Sequence, residues 1–362
     1  MDINLIPNSF SEITIDYLNE ILSKELSSKI LSFSEGEKIE EGYTGEINRI
    51  IPKYEKEINS LPKSLIIKLA TKNEGINKLL TETKGYEKEI KLYSIFSKNT
   101  NLNLPKIYFS KISEDKSKFI LIMEDLKNRN FKQIKLEEGF DINFSYKIID
   151  FYSKLQSQFW NIEKHSELKF MEEYNFALYL KDLTIANFDN RKENFIKEKK
   201  NLLNEETIDL IRKIDIKKLY ELTNPTNQTN LTLLHGDSQL SNLFYNNENI
   251  IMIDWQYSSI GIGLKDVIIM LGISLEGKYN KDDIEKLKNN YYNQLINFGI
   301  QNYSFNEFNL DWKNCLLLSF CNIISAFNEE NIGDDIEKKN KYFNYLNVSS
   351  RRFINFIQNQ NF

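Results

Sequence analysis

A short hairpin in the second half of the sequence brings together two side chains whose oxygen atoms can bind a metal ion. Two apolar runs, Leu243–Tyr245 and Ile250–Ile253, are joined by the polar residues 246–249, a pattern that predicts two antiparallel strands and a tight turn. Asn242 precedes the first run and Asp254 follows the second. Because both positions belong to the open end of the hairpin, we expect Asn242 and Asp254 to be neighbours.

The amide oxygen of Asn242 and the carboxylate of Asp254, placed side by side, could supply the protein ligands of a hard cation. Mg²⁺ suits such a site, because it takes one or two protein oxygens and completes its shell with water and phosphate oxygens. Asp237 lies five residues before Asn242, on the preceding loop. There its carboxylate can accept a proton from an attacking hydroxyl without being a metal ligand, which is the combination that phosphoryl transfer requires.

The two residues before Asp237 are interpreted as structural. Gly236 permits a tight backbone, and His235 can hold the loop through its ring nitrogens. Direct proton transfer by His235 is the alternative, but Asp237 already fills that position in a phosphoryl transfer.

These motifs resemble those of a known superfamily. The stretches HGDSQLSN (235–242) and IDWQ (253–256) are similar to the catalytic loop and the metal-binding motif of kinase-like phosphotransferases of small molecules. This superfamily includes aminoglycoside phosphotransferases, choline kinases and ecdysteroid kinase-like proteins. Residues 254–261, with Gly263 and Asp266, resemble most the bacterial and ecdysteroid kinase-like branch.

The resemblance implies a role for each polar residue of the motifs. Asp237 would be the catalytic base, and Asn242 and Asp254 would bind Mg²⁺. Asp266 would brace the loop, with His235 as further structural support. The family also tends to place a histidine in the helix after its interlobe linker, where this chain has Gln156.

A kinase-like site also requires a cation on the nucleotide phosphates and a partner for that cation. Lys68 interrupts the apolar strand Leu65–Leu69, where an isolated charge is costly unless it is paired or functional. The alternative is a lysine on an edge strand that points to water. On the following helix, Glu89 resembles the family's glutamate ahead of an aromatic residue and is the expected partner, with Glu87 as a rival.

The resemblance implies two further contacts with the nucleotide. A glycine-bearing turn would cover the phosphates with backbone amides, although two glycines between strands can simply make a turn. Its candidate residues are Gly42, Thr44 and Gly45. The backbone of the interlobe linker would meet adenine. The candidate linker residues are Met123, Glu124, Asp125 and Leu126.

The predicted elements favour an α+β fold. Helical spacing over 14–31 is followed by short apolar runs that predict an antiparallel sheet, and helical periods dominate after residue 126, apart from a β-rich interruption at 231–254. The predicted strands begin at Lys38 and continue at 47–54, 65–69, 106–112 and 118–123, with a helix containing Tyr86, Ile90, Tyr93 and Phe96. The resemblance implies a bilobal protein-kinase-like fold, with a nucleotide-binding N-lobe at 1–125 and a helical C-lobe at 126–362 that carries the catalytic loop, metal site and acceptor pocket.

Composition excludes several other classes of protein. The 362 residues allow two or three domains, and 47 basic against 52 acidic residues (net charge −5) argue against a nucleic-acid binder. Cys315 and Cys321 are the only cysteines and the chain has two histidines, which argues against a disulfide framework or a soft-metal site. No secretion signal and no apolar run of about 20 residues is visible. We therefore expect a cytoplasmic protein without membrane contact.

The combined expectation is a kinase that uses Mg²⁺ and ATP, or another nucleoside triphosphate, to phosphorylate a hydroxyl of a small molecule. Substrate recognition is expected between residues 160 and 230. Its aromatic residues are candidates for an acceptor pocket, although such stripes more often form core. They are Trp160, Phe170, Tyr174, Phe176 and Tyr179. The acceptor, the nucleotide preference and the oligomeric state stay open.

Three alternatives remain. Acidic groups near 282–285 and 329–335 would suit an aminoglycoside or choline-type amino alcohol, although solvated helix ends also explain them. A pseudokinase would bind nucleotide without transfer. A metal-dependent phosphoester hydrolase would require more carboxylates than the hairpin supplies and leaves Lys68 unexplained.

Overall fold

The chain forms two compact units. The first comprises Met1–Lys132 and Phe244–Tyr257, and the second comprises Gln133–Leu243 and Ser258–Phe362. Except for Leu243, the hairpin that carries Asp254 is therefore part of the first unit, whereas the functional division at residues 125 and 126 stays a prediction. The computed structural model describes residues 6–37, 45–56, 58–171, 181–225, 230–326 and 336–361.

The first unit is built on a five-stranded antiparallel sheet. Its strands are β1 (Ile30–Glu35), β2 (Gly45–Tyr54), β3 (Leu65–Ala70), β4 (Ile107–Ile112) and β5 (Phe119–Glu124). They lie in the order β1-β2-β3-β5-β4, so that β3 is the central strand. Four of the predicted strands agree with β2 to β5 within two residues. The strand predicted from Lys38 lies outside the described residues, and the first described strand is β1, earlier in the chain.

The described part of this unit also contains three α-helices and two 3₁₀ helices. They are α1 (Ile15–Leu22), α2 (Glu74–Glu82), α3 (Gly85–Asn99) and the 3₁₀ helices Phe10–Glu12 and Leu126–Arg129. The apolar side of α1 packs with Ile67 of β3 in one core. Because strand side chains alternate, the neighbouring Lys68 belongs to the opposite face of the sheet.

The helix predicted over 14–31 is shorter in the structure. It ends at Leu22 because the Asn19 side chain bonds both the N–H and the C=O of Ile30, at 2.7 and 2.8 Å, and turns the chain back into β1. Leu26, a member of the predicted helical face, is still buried in the core, but from non-helical backbone after Leu22. The spacing of Leu26 thus indicates burial correctly and helix wrongly.

The predicted hairpin is present. Strands β8 (Leu243–Tyr245) and β9 (Ile250–Met252) form a sheet with the two-residue β6 (Lys132–Gln133), in the order β6-β8-β9. Its turn is closed by a hydrogen bond from the Asn246 N–H to the Asn249 carbonyl, at 3.0 Å.

The second unit is mainly helical, as predicted. Its described α-helices are α4 (Ile142–Gln158), α5 (Lys181–Glu198), α6 (Glu205–Lys213), α7 (Ile216–Leu222), α8 (Leu264–Ser274), α9 (Lys281–Asn297), α10 (Phe305–Ala326) and α11 (Ile336–Gln358). Its described 3₁₀ helices are Ile162–Lys164, Ser166–Met171 and Leu240–Asn242. Two short strands, β7 (Thr232–Leu234) and β10 (Ser259–Gly261), pair antiparallel. The largely apolar α8 packs against α10 and α11, and among the described helices none is long and apolar enough to cross a membrane.

Candidate active site

A buried ammonium lies on the central strand of the first unit's sheet. Lys68 is only 2% exposed, and its Nζ lies 3.0 and 2.9 Å from the two carboxylate oxygens of Glu89. A second carboxylate, that of Asp254, approaches the same nitrogen at 3.0 Å. Lys68 is therefore not an edge-strand lysine in water, because β3 is central and its charge has two acidic partners.

The three charges support one another in a site where Lys68 and Glu89 are buried and Asp254 is partly exposed. Burial by itself would lower the pKa of Lys68, but Asp254 and Glu89 outweigh burial and raise that pKa above its usual value. Burial raises the pKa of Glu89, and the Lys68 ammonium opposes this rise. The two carboxylates thus favour the charged form of Lys68, which is the form that contacts a phosphate.

Helix α3 decides which of the two candidate glutamates meets Lys68. Glu89 is fully buried, whereas Glu87 binds Lys91 at 2.6 Å and lies 3.6 Å from Lys116. Two residues along a helix point in different directions, so only one of the pair can face the sheet.

The residues after β9 form the third part of the cluster. Asp254 has a φ of +64°, a backbone conformation that residues other than glycine rarely adopt. The next residue, Trp255, is buried and packs edge-on against Phe96 of α3, with ring centroids 4.6 Å apart. Packing of this kind can hold the unusual backbone that directs the Asp254 carboxylate to Lys68.

In the second unit, the loop after β7 presents Asp237 in a network of amides. The Gln239 Nε2 donates to both carboxylate oxygens of Asp237 at 2.9 Å, and the Asn242 Nδ2 donates to one of them at 2.8 Å. The Asn242 Nδ2 also bonds the Asp237 carbonyl at 3.0 Å. Because Asn242 uses its nitrogen here, its side-chain oxygen is directed away from Asp237 and can serve as a ligand.

Asp266 connects this loop to the start of α8. Its carboxylate accepts the backbone N–H groups of His235 at 2.6 Å and Gly236 at 3.1 Å. The buried His235 ring in turn accepts the Asp237 N–H at 3.2 Å through Nδ1. Gly236 has a φ of +80°, which explains glycine at this position. Burial raises the pKa of Asp266, and the neighbouring His235 lowers it in part.

The candidate linker follows β5 directly. Met123 and Glu124 end the strand, and Asp125 caps the 3₁₀ helix that begins at Leu126 by accepting the Lys127 N–H at 3.2 Å. The Asp125 carboxylate also binds Arg49 and Ser64, both at 2.6 Å.

Of the candidate phosphate loop, only its last residue is described. Gly42 and Thr44 lie outside the described residues, and Gly45 begins β2. A Cβ at Gly45 would lie 2.9 Å from the Leu69 carbonyl and 3.3 Å from the Lys68 Cε. Glycine is therefore required here by close packing against the Lys68 strand.

Gln156, at the position where the family tends to have histidine, has a structural role. Its Nε2 donates to the Gly263 carbonyl at 2.8 Å, and its Oε1 accepts a hydrogen bond from the Tyr291 hydroxyl. The buried amide thus holds together α4, the residues before α8, and α9.

The candidate acceptor residues are only partly described. Trp160 is 7% exposed and packs against Tyr303, so that it belongs to the core of the helical unit. Asp283 forms a capping box with Asn280 at the start of α9, so this member of the acidic group at 282–285 has a structural role. The candidates Tyr174, Phe176 and Tyr179, and the acidic residues Glu329, Glu330, Asp334 and Asp335, lie outside the described residues.

Two residues next to the candidate site were not identified from the sequence. Gln239 lies two positions after Asp237 and holds its carboxylate, and Arg49 holds the linker through Asp125. Neither carries a signal of the kind that marked Lys68. Arg49 lies in a strand that also contains the charged residues Glu46 and Lys53, and an amide such as Gln239 is ordinary in a polar loop.

Comparison with solved structures defines the class of this fold. Choline kinase from Cryptosporidium parvum Iowa II superposes with a TM-score of 0.53 at 14% identity, covering 96% of this chain and 95% of its own. A variant of aminoglycoside 2'-phosphotransferase-IIIa in complex with GDP gives 0.51 at 13% identity, covering 96% and 100%. The APH(2")-IIia complex with GDP and kanamycin gives 0.50 at 12% identity, covering 93% and 98%. The chain therefore has the fold of the kinase-like phosphotransferases.

The family follows from the sequence comparison. The model of the ecdysteroid kinase-like family matches residues 40–301, and the chain belongs to this family. No curated protein sequence matches the chain.

Proposed function

We propose that this protein is an ATP-dependent phosphotransferase that moves the γ-phosphate to a hydroxyl of a small molecule. The observation that carries the proposal is the buried Lys68, which contacts both Glu89 and Asp254. Placing three charges in the interior is costly, and such clusters persist where their charge is used. A cation held between two carboxylates beside the glycine that begins β2 is suited to bind nucleotide phosphates.

The metal proposed for this reaction is Mg²⁺, held by Asn242 and Asp254. Both offer the oxygen ligands that Mg²⁺ prefers, one amide and one carboxylate, and the chain joins them through the β8-β9 hairpin. Bound Mg²⁺ would neutralise phosphate charge. In the part of the chain that the structure describes, no group of three or more His, Cys, Asp or Glu residues is arranged to hold a metal, as the hydrolase alternative would require.

Asp237 is the proposed catalytic base. Its carboxylate, oriented by Gln239 and Asn242, would accept the proton of the acceptor hydroxyl. The acceptor oxygen then bonds to the γ-phosphorus while the bond to the β-γ bridging oxygen breaks, and ADP leaves with that oxygen. Asp266 keeps the loop in place through the backbone of His235 and Gly236.

The nucleotide would lie on the sheet face that carries Lys68. We propose that the linker backbone contacts the base and that the loop ending at Gly45 contacts the phosphates. The linker residues in this role are Met123, Glu124, Asp125 and Leu126, and the loop residues are Gly42, Thr44 and Gly45. The acceptor is proposed to be a hydroxylated small molecule.

A coupled assay of ADP release with Mg-ATP and a panel of hydroxylated metabolites, amino alcohols and aminoglycosides tests the proposal. We expect turnover that depends on one class of acceptor. Asp237→Asn should lower kcat by about 10²-fold or more while ATP binding survives. ATP binding without turnover on any acceptor would favour the pseudokinase, and full activity of Asp237→Asn would remove Asp237 from its role.

A further inference from the structure

One carboxylate of the first unit is buried at the point where the chain leaves the sheet. Asp125 is 3% exposed and follows β5, where extended backbone changes to the 3₁₀ helix Leu126–Arg129. Its Oδ1 accepts the Lys127 N–H at 3.2 Å, so the position of the carboxylate and the direction of the linker backbone are coupled.

A strong ion pair holds this carboxylate from another strand. Arg49 of β2 donates through Nε to the Asp125 Oδ2 at 2.6 Å, and the Ser64 hydroxyl donates to the same oxygen at 2.6 Å. Burial by itself would raise the pKa of Asp125, but the hydrogen bonds from Arg49 and Ser64 keep it below its usual value. A charged, buried and multiply bonded carboxylate resists displacement.

The end of β1 is shaped to let Arg49 reach Asp125. A Cβ at Gly36 would lie 2.8 Å from both the Cγ and the Cδ of Arg49, so the arginine stem crosses the space that any other side chain would fill. The Gly36 N–H bonds the Arg49 carbonyl at 2.8 Å, which fixes the two strands at this point. The absence of a side chain at Gly36 thus leaves the space that the Arg49 stem needs to reach Asp125.

Sheet register relates this pair to Lys68. Arg49 is the cross-strand partner of Ile66, and Ile66 is the partner of Met123, so these three form one row across β2, β3 and β5. Lys68 lies two residues after Ile66 along β3, on the same face, with about 7 Å between the two Cα atoms. On the sheet face that carries Lys68, the row of Arg49, Ile66 and Met123 therefore lies between Lys68 and the linker.

We propose that Arg49 is a positioning residue for the nucleotide base, acting on the linker through Asp125. This inference rests on the proposed function, because it requires that the nucleotide has its phosphates at Lys68 and its base at the linker. Arg49 does not contact Lys68, the side chain proposed to bind the phosphates. Arg49 should therefore affect binding of the base and leave binding of the phosphates unchanged.

The test uses the full chain, two ligands and Mg²⁺. Isothermal titration with ATP should give about tenfold weaker binding for Arg49→Met than for the wild type, a factor expected for one lost charged contact. Inorganic tripolyphosphate, which has no base, should bind both proteins within about twofold. A purely stabilising role would lower the melting temperature and leave the ratio of the two affinities unchanged.

Further variants keep the inference testable if Arg49→Met does not fold. Gly36→Ala displaces the arginine stem while keeping its charge and should weaken ATP binding without affecting tripolyphosphate. Asp125→Asn should reproduce Arg49→Met, and the double variant should be no worse than either single one. Lys91→Met, which removes the 2.6 Å ion pair with Glu87 on α3, is the matched control and should change neither affinity.

Two outcomes would overturn the inference. A folded Arg49→Met with wild-type affinity for ATP would show that the pair does not act on the base. Equal weakening of ATP and tripolyphosphate would show that Arg49 acts on the whole site. Failure of the wild type to bind ATP would instead count against the proposed function itself.

Discussion

The charge of Lys68 has one fully buried partner, Glu89, and one partly exposed partner, Asp254, and this arrangement predicts how its removal would act at the residue scale. Lys68→Met would leave the buried Glu89 without its cation, which costs about 3–5 kcal/mol of unfolding free energy. Nucleotide binding should be lost as well. Lys72→Met is the control, since Lys72 is mostly exposed and pairs with Glu46 at 3.2 Å, and it should change stability by about 1 kcal/mol or less. Urea unfolding and ATP titration measure both effects.

The two glutamates at the start of α3 allow a matched comparison. Glu89→Gln keeps the shape but weakens the hold on Lys68, so kcat/KM should fall by about 10–100-fold. Glu87→Gln loses only its contacts with Lys91 and Lys116, and it should remain within about twofold of the wild type. Equal effects of the two changes in a steady-state assay would contradict the assignment of Glu89.

At the scale of elements, the contact between β2 and β3 positions the ammonium. Gly45→Ala would place a methyl group 2.9 Å from the Leu69 carbonyl and 3.3 Å from the Lys68 Cε, so the two strands or the lysine stem must shift. We expect KM for ATP to rise about tenfold.

Gly75→Ala provides the control for this glycine. Gly75 lies in the first turn of α2, where a Cβ would meet only the Asn73 Oδ1, at 3.5 Å. Alanine favours helix, so the melting temperature should stay equal or increase, with unchanged kinetics. A Gly45→Ala enzyme with normal KM would show that the strand contact does not set the position of Lys68.

Several elements could be predicted from the sequence because their signal is local. The β8-β9 hairpin and the central Lys68 strand have apolar runs bounded by turn residues, and the structure contains both. The end of α1 could not be predicted, because the hydrogen bonds of Asn19 to Ile30 join positions that only the folded chain brings together.

The candidate site shows the same limit. Glu89 as the partner of Lys68 followed from spacing and resemblance, and the resemblance also led us to expect Asp254 beside the Lys68 ammonium. Their direct ion pair did not follow, since sequence spacing does not reveal which charges share a partner across elements. The ion pair between Arg49 and Asp125 depends on the register of β2 with β3 and on the space at Gly36. The residue pattern of one strand predicts neither of these.

At the scale of the whole molecule, stability should depend on pH through Glu276. Burial by itself would raise its pKa, but hydrogen bonds from Arg351 and Arg352 lower it from 4.5 to about 2. A depressed carboxylate pKa means that the contribution to stability is complete above about pH 5 and is lost as the pH falls toward 2. Because Glu276 is partly exposed, we discount the contribution to about 1–2 kcal/mol.

Acid unfolding of Glu276→Gln measures this contribution. The variant should be less stable than the wild type at pH 7, and the difference should disappear near pH 2. Arg352 also binds the Leu136 carbonyl at 2.6 Å, so the backbone contact of α11 would survive in the variant. A difference in unfolding free energy that stays constant from pH 7 to pH 2 would contradict the assigned pKa.

The central claim is that the Lys68, Glu89 and Asp254 cluster binds a nucleotide together with Mg²⁺. Calorimetric titration of ATP, with Mg²⁺ and with a chelator, tests it most directly in the wild type, in Asp254→Asn and in the surface control Asp282→Asn. We predict that Mg²⁺ strengthens ATP binding at least about tenfold in the wild type and in the control, and that Asp254→Asn loses this dependence. Wild-type protein that does not bind Mg-ATP, or Asp254→Asn that keeps the full effect of Mg²⁺, would contradict the claim.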